Sequence, residues 1–313
     1  MFNQIDTHTH MKKFILFCGL IYLVRFYICF KRRPVVRKAV LSSSSSSFNA
    51  VIQSGYGPAS DTLHYTRVEF DGADLIFDDD VLVRIHATSV NPVDFKTRNF
   101  GLGPAGMMWI AFPFINGRDV SGVVAKIGKN VTNFKVGDEV VALTDVTRMG
   151  TYSEYTVVQE SAVAIKPKSL THAVAAGVPL VGLTAWQLVL AARLQPPTAK
   201  TVCVLGGSGG LGSFLIPLLS QYCKVPSIVA TCSQKNSDAV LRFGATQTID
   251  RLNDSALLFD NPAYHHHFDV VIDVAGGLKN AIDAHKIIKA GGRWITVSGP
   301  VISLLHAHAP ACC

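Results

Sequence analysis

The run Val202-Cys203-Val204-Leu205-Gly206-Gly207-Ser208-Gly209-Gly210-Leu211-Gly212 carries the densest chemical information in the chain. Gly207, Gly209 and Gly212 fit G-x-G-x-x-G, with Ser208, Gly210 and Leu211 between them. An apolar tetrapeptide precedes the loop and a second apolar stretch, Phe214-Leu215-Ile216, follows it. A strand that ends in such a loop and re-enters as a helix offers backbone N–H groups to a dinucleotide's pyrophosphate, because no Cβ holds the phosphates away. The same run can also serve as a tight structural turn. The strand before it and the helix after it are the context that the nucleotide reading requires.

The other reactive residue types are less organised. Seven cysteines (Cys18, Cys29, Cys203, Cys223, Cys232, Cys312 and Cys313) leave positions 30–202 empty and form no C-x-x-C pair. That spacing builds neither a disulfide framework nor a cysteine zinc cage, and it fits a reducing compartment. Cys203 and Cys232 read as small buried apolar residues. His265-His266-His267 has the composition of a metal tract, yet no spaced ligand accompanies it, and a solvated loop is the alternative. Arg118 and Asp119 read as a local ion pair before an acid–base couple.

The elements that must position these residues alternate in character. Val81 to Ala87 reads as a strand, as do Val120 to Ile127 and Val136 to Leu143, with turns at Gly128-Lys129-Asn130 and Gly137-Asp138. Tyr152 to Val158 continues the β pattern, so this half reads as a β domain without a long helical period. Leu170 to Leu190 has helical spacing behind Thr171 as cap, and Pro196-Pro197 breaks the chain. Strand and helix then alternate: strands Val202–Leu205, Ile228–Cys232, Thr248–Asp250, Phe268–Val274 and Trp294–Val297, and helices Gly209–Tyr222, Asp238–Phe243 and Ala281–Lys289. That order is the signature of a doubly wound parallel α/β sheet, with a boundary near residue 175. Pro217 should kink the first of these helices.

With 313 residues, 49% of them apolar and 16% charged, the chain has room for two domains and a large core. The net charge of +7 is concentrated at one end: the first fifty residues hold eight Lys/Arg and one acid, leaving twenty-one residues of each sign in the rest. A general nucleic-acid surface is therefore unsupported. Residues 14–30 are apolar except for Arg25, flanked by basic residues and followed by Ser42 to Ser47. A mitochondrial targeting segment over residues 1–47 and membrane association through residues 14–30 are the main readings, with secretion or a misplaced start codon as the remaining alternative.

Several segments together resemble the zinc-free quinone oxidoreductase branch of the medium-chain dehydrogenase/reductases. They are Ser89-Val90-Asn91-Pro92-Val93-Asp94, Gly117-Arg118-Asp119-Val120-Ser121-Gly122, Phe134-Lys135-Val136-Gly137-Asp138-Glu139-Val140, Lys166-Pro167-Lys168-Ser169-Leu170-Thr171-His172, Leu183-Thr184-Ala185-Trp186 and the glycine loop. The resemblance implies a GroES-like catalytic domain over 48–175, a Rossmann NADP-binding domain over 176–300 and a non-family tail over 301–313. It implies hydride transfer to a quinone or activated alkene, a mitochondrial setting, and a protein partner of the reticulon type. Zinc-bearing relatives place Cys where this chain has the Asn91 motif and His where it has Gly117-Arg118-Asp119, so no metal is expected. Asn91 lies in the motif that faces the nicotinamide in the family; its other reading is an Asn-Pro turn residue.

No acid follows the second Rossmann strand in Ala230-Thr231-Cys232-Ser233-Gln234-Lys235, where an acid would bind the ribose 2′-OH of NAD. Ser233 and Lys235 are the candidates for a 2′-phosphate, which makes NADPH the expected cofactor, while a solvated loop charge is the other reading of Lys235. Arg251 stands where the family usually has Tyr near the adenosine. Gly276 and Gly299 close later strands on the cofactor side. Family members continue past Ser298-Gly299-Pro300, so the resemblance implies a shortened Rossmann sheet, and a non-catalytic nucleotide-binding or interaction protein is the alternative function.

Overall fold

The computed structural model describes residues 46–70, 78–99, 112–144, 150–251 and 258–297. The leader, Gly299 and the tail lie outside the described residues. Two compact units divide the chain between Ala176 and Gly177.

The first unit is β-rich. Its strands and helices are β1 (Ser46–Gln53), α1 (Ala59–Thr62), β2 (Leu63–Phe70), β3 (Asp80–Ala87), α2 (Pro92–Arg98), β4 (Phe114–Ile115), β5 (Asp119–Ile127), β6 (Glu139–Leu143), β7 (Tyr155–Gln159), β8 (Val163–Ile165) and α3 (His172–Ala175). Five strands form an antiparallel sheet in the order β7-β3-β5-β6-β8, and β2-β1-β4 form a smaller one. Alternation puts Val81, Val83, Val120, Val124, Val140 and Val158 into one core.

One expectation is corrected here. The strand expected from Val136 begins only at Glu139, and residues 136–138 belong to the turn before β6. Gly137 sits at φ +95°, the Asp138 carboxylate accepts the Lys135 N–H at 2.9 Å, and Val136 is exposed. The β half also contains the short helix α2. Asn91 stands before Pro92 at the first helical position, and the Asp94 carboxylate reaches back to the Asn91 N–H at 2.7 Å.

The second unit comprises α4 (Pro179–Ala191), β9 (Thr201–Leu205), α5 (Gly210–Pro217), β10 (Ser227–Cys232), α6 (Ser237–Arg242), β11 (Gln247–Asp250), β12 (Phe268–Asp273), α7 (Leu278–Ile287) and β13 (Ile288–Thr296). The single helical period over 170–190 resolves into α3 and α4. Thr171 Oγ1 caps α3 by accepting the Val174 N–H at 3.3 Å, and Pro179 restarts the chain as α4. All strand pairs in the sheet are parallel, in the order β11-β10-β9-β12-β13. Along β9, Val202 and Val204 face one core with Ile228, Ala230 and Ile272, while Cys203 and Leu205 face another with Val229 and Val271. Both faces of the sheet are therefore covered, which explains its continuous apolar strands.

At Pro217 the helix stops being α. The missing N–H is accommodated by a wider π turn over Leu218–Tyr222, in which the Cys223 N–H reaches the Leu218 carbonyl at 2.9 Å. The helix expected to run to Lys289 ends at Ile287, because Ile288 is buried in β13 against Phe268.

Candidate active site

The strand order reverses at β9, between its neighbours β10 and β12. In an open α/β sheet the ligand crevice forms there, at the carboxyl ends of the strands. The glycine loop follows β9 at that edge. Gly206 adopts φ +98°, and its N–H is accepted by the Thr231 hydroxyl at 3.0 Å, while the Gly207 N–H is accepted by the Thr231 carbonyl at 2.8 Å.

The glycines divide into two kinds. A Cβ on Gly212 would stand 2.5 Å from the carbonyl oxygens of Gly206 and Gly207, and one on Gly207 would stand 2.9 Å from the Ala230 Cβ. Both are buried and needed for close packing. Gly209 and Gly210 are exposed, and a Cβ on Gly210 would meet nothing within 4 Å. Ser208 and Leu211 stand between them, half-buried. The first-turn N–H groups of α5 have no intrahelical acceptor. A cradle with free donors and an open, Cβ-less side fits the pyrophosphate of a dinucleotide.

The neighbouring carboxyl ends supply the rest. Ser233 follows β10 and is half-buried; Lys235 is exposed. Arg251 follows β11, and its N–H is tied to the Cys232 carbonyl at 2.8 Å, so its backbone lies beside Ser233. Gly276 follows β12 at φ +78°, where Asp273 accepts its N–H at 2.8 Å and the Ala275 N–H at 3.1 Å. Burial raises the carboxyl of Asp273 above its ordinary range, and these donors pull it back. The structure thus brings Gly207 to Gly212, Ser233, Lys235, Arg251 and Gly276 to one edge of one sheet.

Asn91 belongs to the first unit. It is buried, and its amide Nδ2 donates to Asp119 Oδ2 at 2.8 Å and to Ser89 Oγ at 3.0 Å. Asp94, also buried, accepts the Tyr152 hydroxyl at 2.9 Å on the same oxygen that takes the Asn91 N–H, and its Oδ1 has no partner. Burial raises the carboxyl of Asp94 and the phenol of Tyr152. The Arg118 guanidinium donates to the Thr144 carbonyl at 3.3 and 3.4 Å, so the local pair expected with Asp119 gives way to separate partners.

The three consecutive histidines take up loop roles. His266 Nδ1 meets the Ile288 carbonyl at 3.0 Å, and the His267 ring packs edge-on against Phe268. Among the described residues, no three His, Cys, Asp or Glu side chains converge. Cys203 is fully buried, and burial raises its thiol. Two participants escaped the sequence reading: Thr231, hidden in a strand, and Asn236 behind Lys235. The Asn91-Pro92 pair with Asp94 two residues later was a legible helix start.

The alcohol dehydrogenase GroES-like domain family matches residues 77–168. The mitochondrial NAD(P)H oxidoreductase RTN4IP1 of Dictyostelium discoideum is 31% identical over 260 residues, covering 80% of this chain and 72% of that protein. The chloroplastic NADPH-dependent alkenal/one oxidoreductase of Arabidopsis thaliana is 35% identical over 232 residues, 72% of this chain and 57% of that one. The solved quinone oxidoreductase from Coxiella burnetii superposes with a TM-score of 0.70 at 28% identity, covering 80% of this chain and 75% of its own. A parallel sheet behind a GroES-like unit and a relative more than 30% identical over most of its length agree: the chain belongs to the medium-chain dehydrogenase/reductase family, together with the RTN4IP1 oxidoreductases.

Proposed function

We propose that this chain is an NADPH-dependent oxidoreductase that passes hydride to a quinone or activated-alkene acceptor without zinc, in mitochondria. The observation that carries the reading is the carboxyl edge of the parallel sheet, where an open glycine cradle stands beside an acid-free β10 terminus bearing Ser233 and Lys235. When bound, NADPH supplies the hydride. The chain's own residues hold it: first-turn N–H groups of α5 for the pyrophosphate, Ser233, Lys235 and Arg251 for the 2′-phosphate, and the Gly276 turn for the following segment.

The donor set does not fit zinc. Asn91, at the position of a Cys ligand in zinc-bearing relatives, commits its amide to Asp119, and Arg118 is a permanent cation that cannot ligate. Without a Lewis acid the acceptor must already be electrophilic. Asn91, held by two bonds from its amide, is the residue proposed to face the nicotinamide. The mitochondrial setting is supported by the name of the Dictyostelium relative and by the basic, serine-rich leader.

The test is oxidation of NADPH and NADH against a panel of quinones and enones, with metal content measured on the same preparation. Turnover with NADPH in metal-free protein is the expected result. Binding of NADPH without turnover of any acceptor would move the reading to a nucleotide-binding interaction protein of the reticulon-partner kind.

A further inference from the structure

The turn after β10 closes on itself. Asn236 donates twice to Ser233, through its backbone N–H to the carbonyl at 2.8 Å and through its amide Nδ2 to the hydroxyl oxygen at 3.1 Å. Gln234 and Lys235 between them are exposed, whereas Ser233 and Asn236 are half-buried. The short 3₁₀ segment Gln234–Asn236 thus fixes one residue against the other.

We infer that Asn236 is a specificity-determining positioning residue: it fills a lone pair of the Ser233 hydroxyl and so directs that hydroxyl's single proton outward, toward a phosphate. The inference rests on the reading of Ser233 as a 2′-phosphate contact. A hydroxyl has one proton and two lone pairs. With one lone pair taken by an amide N–H, the proton turns away from Asn236 and is offered at the rim where Lys235 also stands. A phosphate oxygen can only accept, so a hydroxyl already set as donor suits it. The ribose 2′-hydroxyl of NAD both donates and accepts and gains little from this arrangement. An aspartate in place of Asn236 reverses the polarity: its carboxylate can only accept, draws the Ser233 proton inward and adds negative charge beside the phosphate position.

The experiment measures dissociation constants of NADP⁺ and NAD⁺ by calorimetry on the full chain, with Tm as the check on folding. Asn236→Ala should weaken NADP⁺ by about 3–10-fold, the size of one neutral hydrogen bond, and NAD⁺ by less than about 2-fold. Asn236→Asp should weaken NADP⁺ by more than about 30-fold while sparing NAD⁺. In a Ser233→Ala background the Asn236→Ala change should have no further effect. Equal loss for both dinucleotides, or additive losses in the double variant, overturns the inference. The two layers separate cleanly. If Ser233→Ala leaves the NADP⁺ to NAD⁺ ratio unchanged, the phosphate reading of Ser233 falls and this inference with it. If Ser233→Ala shifts the ratio and Asn236→Ala does not, only the role of Asn236 falls.

Discussion

The hydroxyl of Thr231 accepts the Gly206 N–H at 3.0 Å, tying the first residue of the glycine loop to the neighbouring strand. Gly206 leaves β9 at φ +98°, and the Thr231 hydroxyl is the acceptor for its N–H. Replacing Thr231 by Val keeps the shape and the carbonyl bond to Gly207 but leaves that donor without a partner. The expected cost is about 1–3 kcal/mol, read as a Tm several degrees lower, together with weaker NADP⁺ binding. Thr231→Ser should restore both, and a Val variant indistinguishable from wild type would show that the tie is dispensable.

Two glycines only two residues apart should respond oppositely to a methyl group. Gly212 has backbone oxygens 2.5 Å from where its Cβ would lie, and backbone cannot step aside, so Gly212→Ala should lose several kcal/mol of stability. Gly210 faces open space. Gly210→Ala should keep the wild-type Tm, or gain slightly from the better helix former, yet weaken dinucleotide binding by crowding the cradle. Thermal melts and NADP⁺ titrations of both variants check the contrast, and a Gly210→Ala protein with unaltered affinity would remove Gly210 from the site.

Much of this was legible because it depends on local pattern. The parallel sheet follows from apolar tetrapeptides alternating with helical spacing, and the glycine loop follows from residue type alone. What escaped depends on geometry that spacing does not encode. Gly137-Asp138 was legible as a turn, but Val136 was counted into the strand, which begins only at Glu139 once Gly137 has taken positive φ. The break between α3 and α4 hides inside one continuous helical period until Pro179 is counted as a start. Thr231 and Asn236 are polar residues whose roles appear only when β10 is laid beside β9 and the turn after it is closed. Asn91 was noticed for its motif, but its bond to Asp119 joins residues twenty-eight positions apart in the sequence, which no local reading supplies.

Lys166 tests the electrostatics of the first unit. Its ammonium is nearly sealed from solvent, donates to the Leu170 carbonyl at 2.6 Å and lies 3.2 Å from Glu139 Oε2. That hydrogen bond from Lys166 is the main reason the Glu139 carboxyl sits below its ordinary value. A depressed folded pKa contributes stability that is present above the ordinary carboxylate value and lost as pH falls from there through the lower folded value. Glu139→Gln should therefore melt below wild type at about pH 7, and the gap should close as the pH falls below the ordinary carboxylate range. A gap independent of pH would mean that the charge on Glu139 contributes nothing to it.

The Asn91–Asp119 bond makes the sharpest pH prediction. Asp119 is fully buried and takes the Asn91 amide at 2.8 Å and the Ser89 hydroxyl at 2.5 Å. Asn91→Asp would replace a donor by a second carboxylate at the same separation, and two such groups cannot both ionise cheaply. One of the pair must then titrate well above the ordinary range, and a raised folded pKa removes stability above the unfolded value and returns it as pH falls. The Tm deficit of Asn91→Asp should accordingly be large at about pH 8 and shrink toward pH ~5. Asn91→Ala adds no charge and should show a smaller deficit, about 1–3 kcal/mol, that changes little over the same interval. If Asn91 also acts at the reacting end of the cofactor, the Ala variant should lose kcat while its NADP⁺ affinity stays near the wild-type level, because the residues proposed to anchor the dinucleotide's phosphates all lie in the other unit. An Ala variant with unchanged kcat would leave Asn91 a structural residue that holds Asp119 and starts α2.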